Sequence, residues 1–367
     1  MTRESPGELL APPAVAPPRR QTTLMGLFLA LVFVIFLGGA VEYVKQGTLN
    51  YWSPPNQFMI PTQITTVAVG AIGMTMVIIL GGIDLSAGSV IAMTAIATAS
   101  VVRAYAPADA RTLTFAEFGA PALWAPLLAV AAGVALGALA GAANGVLITG
   151  LRMAPFIITL GMMTFARGTA KWISHETTVH PPASWISDFT KSNLTLFTMD
   201  LEWGPLQWKG EVALSSAVLV TLVLAAAAAV VLGRTRFGRH VFAIGSNEAT
   251  ARLCGVRVEA TKCAVYAIAG ATFGLAGVTD CGRLNAGDPS TAVGKELDII
   301  AAVVIGGGSL TGGSGSVLGA LLGALLMAHL RNLCIHLGLP TFVQEQIVGP
   351  VIIAAVAIYQ WRQRKRE

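Results

Sequence analysis

Charge is scarce in this chain. Only 12% of its 367 residues are Asp, Glu, Lys or Arg, about half the share of a soluble domain. With a mean hydropathy of +0.68, that shortage excludes an ordinary water-soluble globule. Cysteine is scarce too. Cys254, Cys263, Cys281 and Cys334 have neither CxxC nor CxxH spacing, so free thiols are expected rather than a disulfide framework or a paired-cysteine metal site. His240, His329 and His336 lack metal-ligand spacing. No HExxH or GxSxG motif occurs, and the glycine-rich stretch 306–315 has no Lys and so is no phosphate-binding Walker loop. No acidic pair sits within an apolar run, as an ion-driven pump would require; Asp280, Asp298 and Arg331 are isolated, each expected near an interface or paired with a neighbouring helix. These absences describe a pathway without catalytic machinery, cofactor or energy source of its own, and they imply an external motor.

What is abundant is apolar sequence. It makes up 54% of the chain, in repeated runs of about 20 residues, each long enough to cross a bilayer as a helix. The expected fold is an all-α polytopic membrane protein. About ten transmembrane helices are read at 24–41, 60–80, 85–105, 123–149, 155–173, 212–232, 263–283, 297–309, 315–337 and 342–361. The eighth is too short to cross straight and reads as a bent or broken element. Residues 1–20 are Pro-rich and polar, and read as a disordered cytoplasmic tail. Residues 21–361 form the membrane domain, and 362–367 a second cytoplasmic tail. The net charge of +5 is a topology signal, with no sign of nucleic-acid binding. Arg3, Arg19, Arg20, Arg152, the basic residues of 233–262 and the final Arg362, Arg364, Lys365 and Arg366 fall on one side. Both termini are therefore expected inside, with the long segment 174–211 outside.

Glycine carries most of the internal pattern. Gly133, Gly137, Gly141 and Gly145 recur every four residues on one helix, and Gly315, Gly319 and Gly323 repeat the spacing. Such stripes let helix backbones approach closely in a membrane bundle; lining of a pathway is the other role open to the first stripe. Asn144 beside it is expected to find an interhelical hydrogen bond. Two glycine-rich breaks resemble each other: LGGIDLSAGSV at 80–90 and IGGGSLTGGSGSV at 305–317. Their shared order suggests an internal repeat with interrupted helices, a habit of transporters. Asp84, Ser86, Asn144, Gly307 and Gly308 are the candidate pathway or hinge residues. Asp84 can N-cap the helix after its break, a local role that competes with cation coordination.

The interval 233–262 is the longest polar, basic stretch between apolar runs in the second half of the chain. It contains a short helix signal. Ser246 or Asn247 can N-cap it, Glu248 lies in its positive first turn, and Gly255 can end it. A capped helix is more than a span connector needs, so it reads as a surface that presses on a partner protein; a solvated loop is the competing reading.

Taken together, GGIDLSAGSV (81–90), APFIITLGMMTFARG (154–168), GRTRFGRHVFAIGSNEATARLCGV (233–256) and ELDIIAAVVIGGGSLTGGSGSVLGALLGALL (296–326) resemble the permease subunits of bacterial ABC importers for sugars, of the ribose-type monosaccharide group. The resemblance runs from about residue 60 to 361. It implies two permease copies forming the pathway in the inner membrane, as a homodimer or with a close paralogue. A cytoplasmic ATPase subunit, which holds ATP and Mg, would drive them, and a periplasmic protein would deliver the sugar. It further implies a coupling helix over Ser246–Gly255, with Glu248, Ala249, Arg252 and Leu253 as contacts to the ATPase. The Pro-rich tail and the long 174–211 segment are less typical of that group. A self-contained secondary carrier of a small polar solute is the alternative, but its mid-span ionisable groups are missing; an integral-membrane enzyme would need a convergent acid–base or metal cluster.

Overall fold

The structure, a computed structural model, describes residues 20–105, 121–182, 184–203 and 206–347, with positions 349, 350, 353 and 357 beyond them. The expected tails, and most of the tenth span, lie outside the described residues.

The chain begins with α1 (Arg20–Gln46), a 3-10 turn at Asn50–Trp52, α2 (Pro54–Gln63) and α3 (Thr65–Ile79). Then come α4 (Ala87–Tyr105), α5 (Pro121–Leu151), α6 (Pro155–Ser174) and the short α7 (Trp185–Lys191). A hairpin of β1 (Asn193–Trp203) and β2 (Leu206–Ser215) precedes α8 (Ser216–Arg234), α9 (Arg236–Ser246) and α10 (Glu248–Leu253). The last labelled elements are α11 (Val258–Leu284), α12 (Lys295–Ile305) and α13 (Val317–His336).

This is an all-α polytopic membrane protein; the described residues do not confirm the count of about ten spans. Among the described residues six helices are long and apolar enough to cross a membrane: α1, α4, α5, α8, α11 and α13. The pair α2–α3 makes a seventh if taken as one span bent by 52°. The bend lies just beyond Pro61, whose ring removes a backbone donor and clashes with the preceding turn. Helix α6 has 20 residues, but Arg167 and Lys171 dilute its apolar character. Helix α12 has only 11, about half of what a crossing requires.

The central helix is α11, packed against α5, α4 and α3. Its seam with α5 is mostly backbone, with the Val278 side chain closing it at Gly133. A Cβ at Gly133 would lie 2.8 Å from Val278 Cγ2, one at Gly137 2.8 Å from Gly274 Cα, and one at Gly145 2.6 Å from Cys263 Cα. Gly141 faces the Tyr266 carbonyl and Gly270 Cα. The stripe on α13 meets α12 in the same way: a Cβ at Gly323 would come within 3.0 Å of the Ala302 carbonyl carbon. Helix α3, wrapped by these elements, is buried along all 15 of its residues.

The hairpin is the feature that the hydropathy reading missed. β1 and β2 pair antiparallel from Asn193↔Ser215 to Trp203↔Leu206, with one irregularity between Thr195 and Phe197. Residues 212–215, read as the start of a span, belong to β2, and α8 begins only after Ser215, whose hydroxyl accepts from Ala217 N. The hairpin leans on α2, and Trp208 Nε1 donates to Leu49 O at 3.1 Å.

A leucine at Gly137 or Gly141 must drive α5 and α11 apart. Gly137→Leu and Gly141→Leu are expected to cost about 3 kcal/mol, the upper end for overpacking, and to lower the amount of monodisperse protein in detergent. Gly150→Leu, where nothing lies within 4 Å, should leave it unchanged. Size-exclusion profiles and thermal unfolding of the three variants check this.

Candidate functional site

The two glycine-rich breaks end their helices in the same way. After α3, Gly81 adopts φ +86°, and Gly82 N and Gly81 N donate to Val77 O and Ile78 O, both at 2.9 Å. After α12, Gly307 adopts φ +91°, and Gly308 N and Gly307 N donate to Val303 O and Val304 O, again at 2.9 Å. This pair of bonds around a left-handed glycine is the Schellman stop, and a side chain at either glycine would be strained. The breaks also meet. Gly313 N donates to Ile79 O at 2.8 Å, and a Cβ at Gly312 would lie 3.0 Å from Gly81 Cα.

The first break carries a buried polar knot. Asp84, with no exposed surface, accepts through Oδ1 from Ser86 N at 2.8 Å and from Ser86 Oγ. Asn144 Nδ2 on α5 donates to Ser86 Oγ at 3.1 Å. Thr159 of α6 stitches the loop from the other side: Leu85 N donates to its Oγ1 and that hydroxyl donates to Ile83 O, both at 3.2 Å. Tyr266 of α11 lays its hydroxyl against Gly82. Asp84 Oδ2, Asn144 Oδ1 and Tyr266 Oη have no partner among the described residues. Asp84 therefore closes a turn onto Ser86, the residue just before α4, and bonds no amide of that helix among the described residues, while Gly307 and Gly308 stop α12.

The basic interval 233–262 folds as two helices and the first turn of α11. Thr235 N-caps α9 by accepting from Gly238 N at 3.1 Å. Val241 and Ile244 are buried, while Arg236 and Arg239 are exposed. Near the end of α9, Gly245 is wedged between the Ile79 carbonyl and Gly313 N, so α9 is rooted at the crossing of both breaks. Ser246 is its last residue, and Asn247 is the N-cap of α10, its Oδ1 accepting from Thr250 N at 2.9 Å. Gly255 (φ +80°) ends α10 with another Schellman stop: Val256 N donates to Ala251 O at 3.1 Å and Gly255 N to Arg252 O at 3.0 Å.

Ala251 is the buried face of α10. Ala249 and Leu253 lie one turn apart on its open side, and Leu253 is 89% exposed. Arg252, expected to face a partner, also pairs within this chain while its side chain stays 53% exposed. It pairs with Glu259 at 2.6 Å and with Glu248 at 3.4 Å, and Glu248 also pairs with Lys262 at 2.7 Å. The hydrogen bond from Arg252 to Glu259 holds the already high guanidinium pKa further up. Four charged groups thus clamp α10 to the start of α11.

A family model described as "Branched-chain amino acid transport system / permease component" matches residues 56–356. The chain belongs to this permease family. It is 36% identical to the ribose import permease protein RbsC of Escherichia coli (strain K12) over 326 residues, covering 88% of this chain and 91% of that protein. The L-arabinose ABC transporter permease protein AraH of Azospirillum brasilense is 31% identical, covering 86% and 83%. The xylose transport system permease protein XylH of Escherichia coli (strain K12) is 33% identical, covering 83% and 85%. No solved structure matches.

Asp280, Asp298 and Arg331 of this permease, each expected near an interface or paired with a neighbouring helix, all have partners in the fold. Arg331 of α13 binds both carboxylate oxygens of Asp298 on α12 at 2.8 Å. Asp280 accepts from Thr66 and Thr291 at 2.9 Å and from Arg283 at 3.1 Å. Arg167, which was not singled out, donates to Pro289 O and Thr291 O at 2.7 and 2.8 Å. Its one sequence signal was a cation at mid-helix in a membrane protein. In the loop beyond α11, the Ser290 hydroxyl and amide hold the Asp288 carboxyl below its usual range.

The contribution of the Asp84–Ser86 turn can be measured. Asp84→Ala removes the oxygen that accepts both Ser86 donors and is expected to cost about 2 kcal/mol, read as a lower Tm of the purified permease. Asp84→Asn keeps an acceptor and should lose less than half of that. Equal losses would show that Asp84 acts through its charge.

Proposed function

We propose that this permease forms the transmembrane pathway of an ATP-driven importer for a monosaccharide, a ribose-like pentose or a hexose, and that α10 is where its motor docks. The observation that carries the reading is mechanical. A short helix presents two adjacent apolar positions, Ala249 and Leu253, to the outside. It is stopped at both ends, clamped to α11 by ion pairs, and continued by α9 to the crossing of the two breaks. The sugar class rests on the relatives, whose names specify ribose, arabinose and xylose.

In this reading a cytoplasmic ATPase subunit buries Ala249 and Leu253 in a groove, a helix-in-groove contact. Nucleotide-driven movement passes from α10 through α9 to Ile79 and Gly313. The breaks, with Asp84, Ser86, Asn144, Gly307 and Gly308, are the hinge at which the pathway opens. Arg252 sets the orientation of α10 within this chain. A periplasmic binding protein delivers the sugar on the opposite side, where the 174–211 segment with its hairpin lies. A second permease copy completes the pathway.

Orientation is tested by labelling intact cells with a membrane-impermeant maleimide. Exposed, free Cys254 should react only after permeabilisation. Ser192→Cys in a Cys254→Ser background should react from outside. The reverse pattern refutes the N-in, C-in arrangement.

Docking is tested by Ala249→Asp and Leu253→Asp, which place a carboxylate on the open face without touching the ion pairs. Each should leave abundance and Tm unchanged. Each should weaken co-purification with the ATPase subunit by about 3 kcal/mol, or more than about a hundredfold, because a buried charge would lack a partner. Sugar uptake should fall with it. Full assembly and uptake in both variants would mean that α10 is a solvated connector.

A further inference from the structure

A cavity of about 590 Å³ opens beside α10, where α5 ends and α6 and α11 begin. Part of its lining is apolar, Ile148, Met153, Pro155 and Val258. Part is charged, Arg152, Arg252 and Lys262 with Glu248 and Glu259. Both carboxylates are already paired, Glu259 with Arg252 and Glu248 with Lys262 and Arg252. Arg152 makes no ion pair or side-chain hydrogen bond among the described residues, so one cation in the cavity is uncommitted. Lys262 uses a single donor of its three on Glu248.

The backbone at Arg152 points the same way. Its φ is +54°, a left-handed conformation at the end of α5 that glycine or asparagine adopts more readily. A helix stop alone would be better served by either. What arginine adds is a guanidinium in the cavity. Such an outlier is a reason to look for a role.

We infer that this cavity holds the phosphate headgroup of an anionic phospholipid, gripped by Arg152 and Lys262. The chemistry is that of a phosphodiester: Arg offers a forked pair of donors and Lys a point charge. The cavity is at the level where membrane-spanning helices end, and basic pockets there attract anionic headgroups. Leu151, Met153 and Phe156, close to Arg152 in the chain, are exposed and offer apolar surface to acyl chains. That surface is what a lipid uses and a free phosphate does not. The inference depends on the protein spanning a membrane, and is independent of what docks on Leu253.

The test uses the full-length protein in detergent and reads lipid retention, not transport. Native mass spectrometry is performed with phosphatidylglycerol or phosphatidylcholine added at matched concentrations. Thermal unfolding is followed with each lipid and with inorganic phosphate. The wild-type protein should retain phosphatidylglycerol selectively and unfold at a higher temperature with it, and high salt should weaken both effects. The chosen variant is Arg152→Gly, because glycine suits the left-handed backbone and removes only the side chain. It should fold at least as well and lose about fivefold in affinity for phosphatidylglycerol, whereas Arg152→Lys should keep most of the selectivity. Equal retention of the two lipids, unchanged retention in a well-folded Arg152→Gly, or the same stabilisation by inorganic phosphate as by phosphatidylglycerol would overturn the assignment.

Discussion

A bilayer gives two apolar helices no hydrophobic reason to leave lipid for each other, so what joins them must be contact close enough for dispersion and polar forces to act. In this permease that contact is backbone against backbone along α5 and α11. Every fourth residue of α5 from Gly133 to Gly145 lacks the Cβ that would strike α11, and Gly270 and Gly274 answer from the other side. The rest of the interior is registered to this seam. It sets Asn144 where its amide reaches Ser86, and Tyr266 where its hydroxyl rests on Gly82. A slip of one residue along α5 would break the seam and the knot together.

Broken helices inside a membrane raise a second demand, because no water is at hand for the freed backbone groups. Each break meets it locally by turning back on its own helix at a left-handed glycine. The two breaks then meet it jointly, since Gly313 N reaches across to Ile79 O. That bond makes the end of α3 and the loop before α13 one unit. Gly245 of α9 is inserted into the same place, so a surface element and the interior breaks share backbone contacts with no flexible side chain between them.

Much of this was legible in the sequence, for reasons that differ by element. The apolar runs of α1, α4, α5, α8, α11 and α13 are long enough to announce themselves, and GGIDLSAGSV and IGGGSLTGGSGSV signalled a repeated break because glycine takes the left-handed stop with least strain. Asp84, Ser86 and Asn144 were picked out one by one; their union depends on α5 lying against α4, which no local pattern encodes. The hairpin escaped because hydropathy windows average away the alternation of LTLFTMDLEW and LQWKGEVALS, although the Gly204-Pro205 pair between them is a turn signal. Helix α9 was hidden because RFGRHVFAIGS shows its apolar stripe only when read at helical period. Arg331, the partner of Asp298, and Glu259, the nearer partner of Arg252, lie on other elements, α13 and α11, and pairing across a fold leaves no trace in spacing; only the pair of Arg252 with Glu248 follows from an i,i+4 spacing.

The stiffness of α10 comes from its ends and its underside more than from its charges. A helix of 6 residues is far below the length at which helix formation sustains itself in water. The exposed pairs around Arg252 contribute at most about 1 kcal/mol each, enough to choose an orientation and too little to impose one. Asn247 at one end, the Gly255 stop at the other and buried Ala251 between them satisfy the backbone and fix the helix on the bundle, after which the ion pairs select its rotation. The same underside belongs to Val258 and the first turn of α11, the helix that forms the glycine seam. Helix α10 is therefore joined to the centre of the molecule by two routes, through α9 to the breaks and through α11 to the glycine seam. The seam and the breaks are themselves linked, because Asn144 of α5 bonds Ser86 and Tyr266 of α11 rests on Gly82; under the proposed function these are the two paths open to a load applied at Leu253.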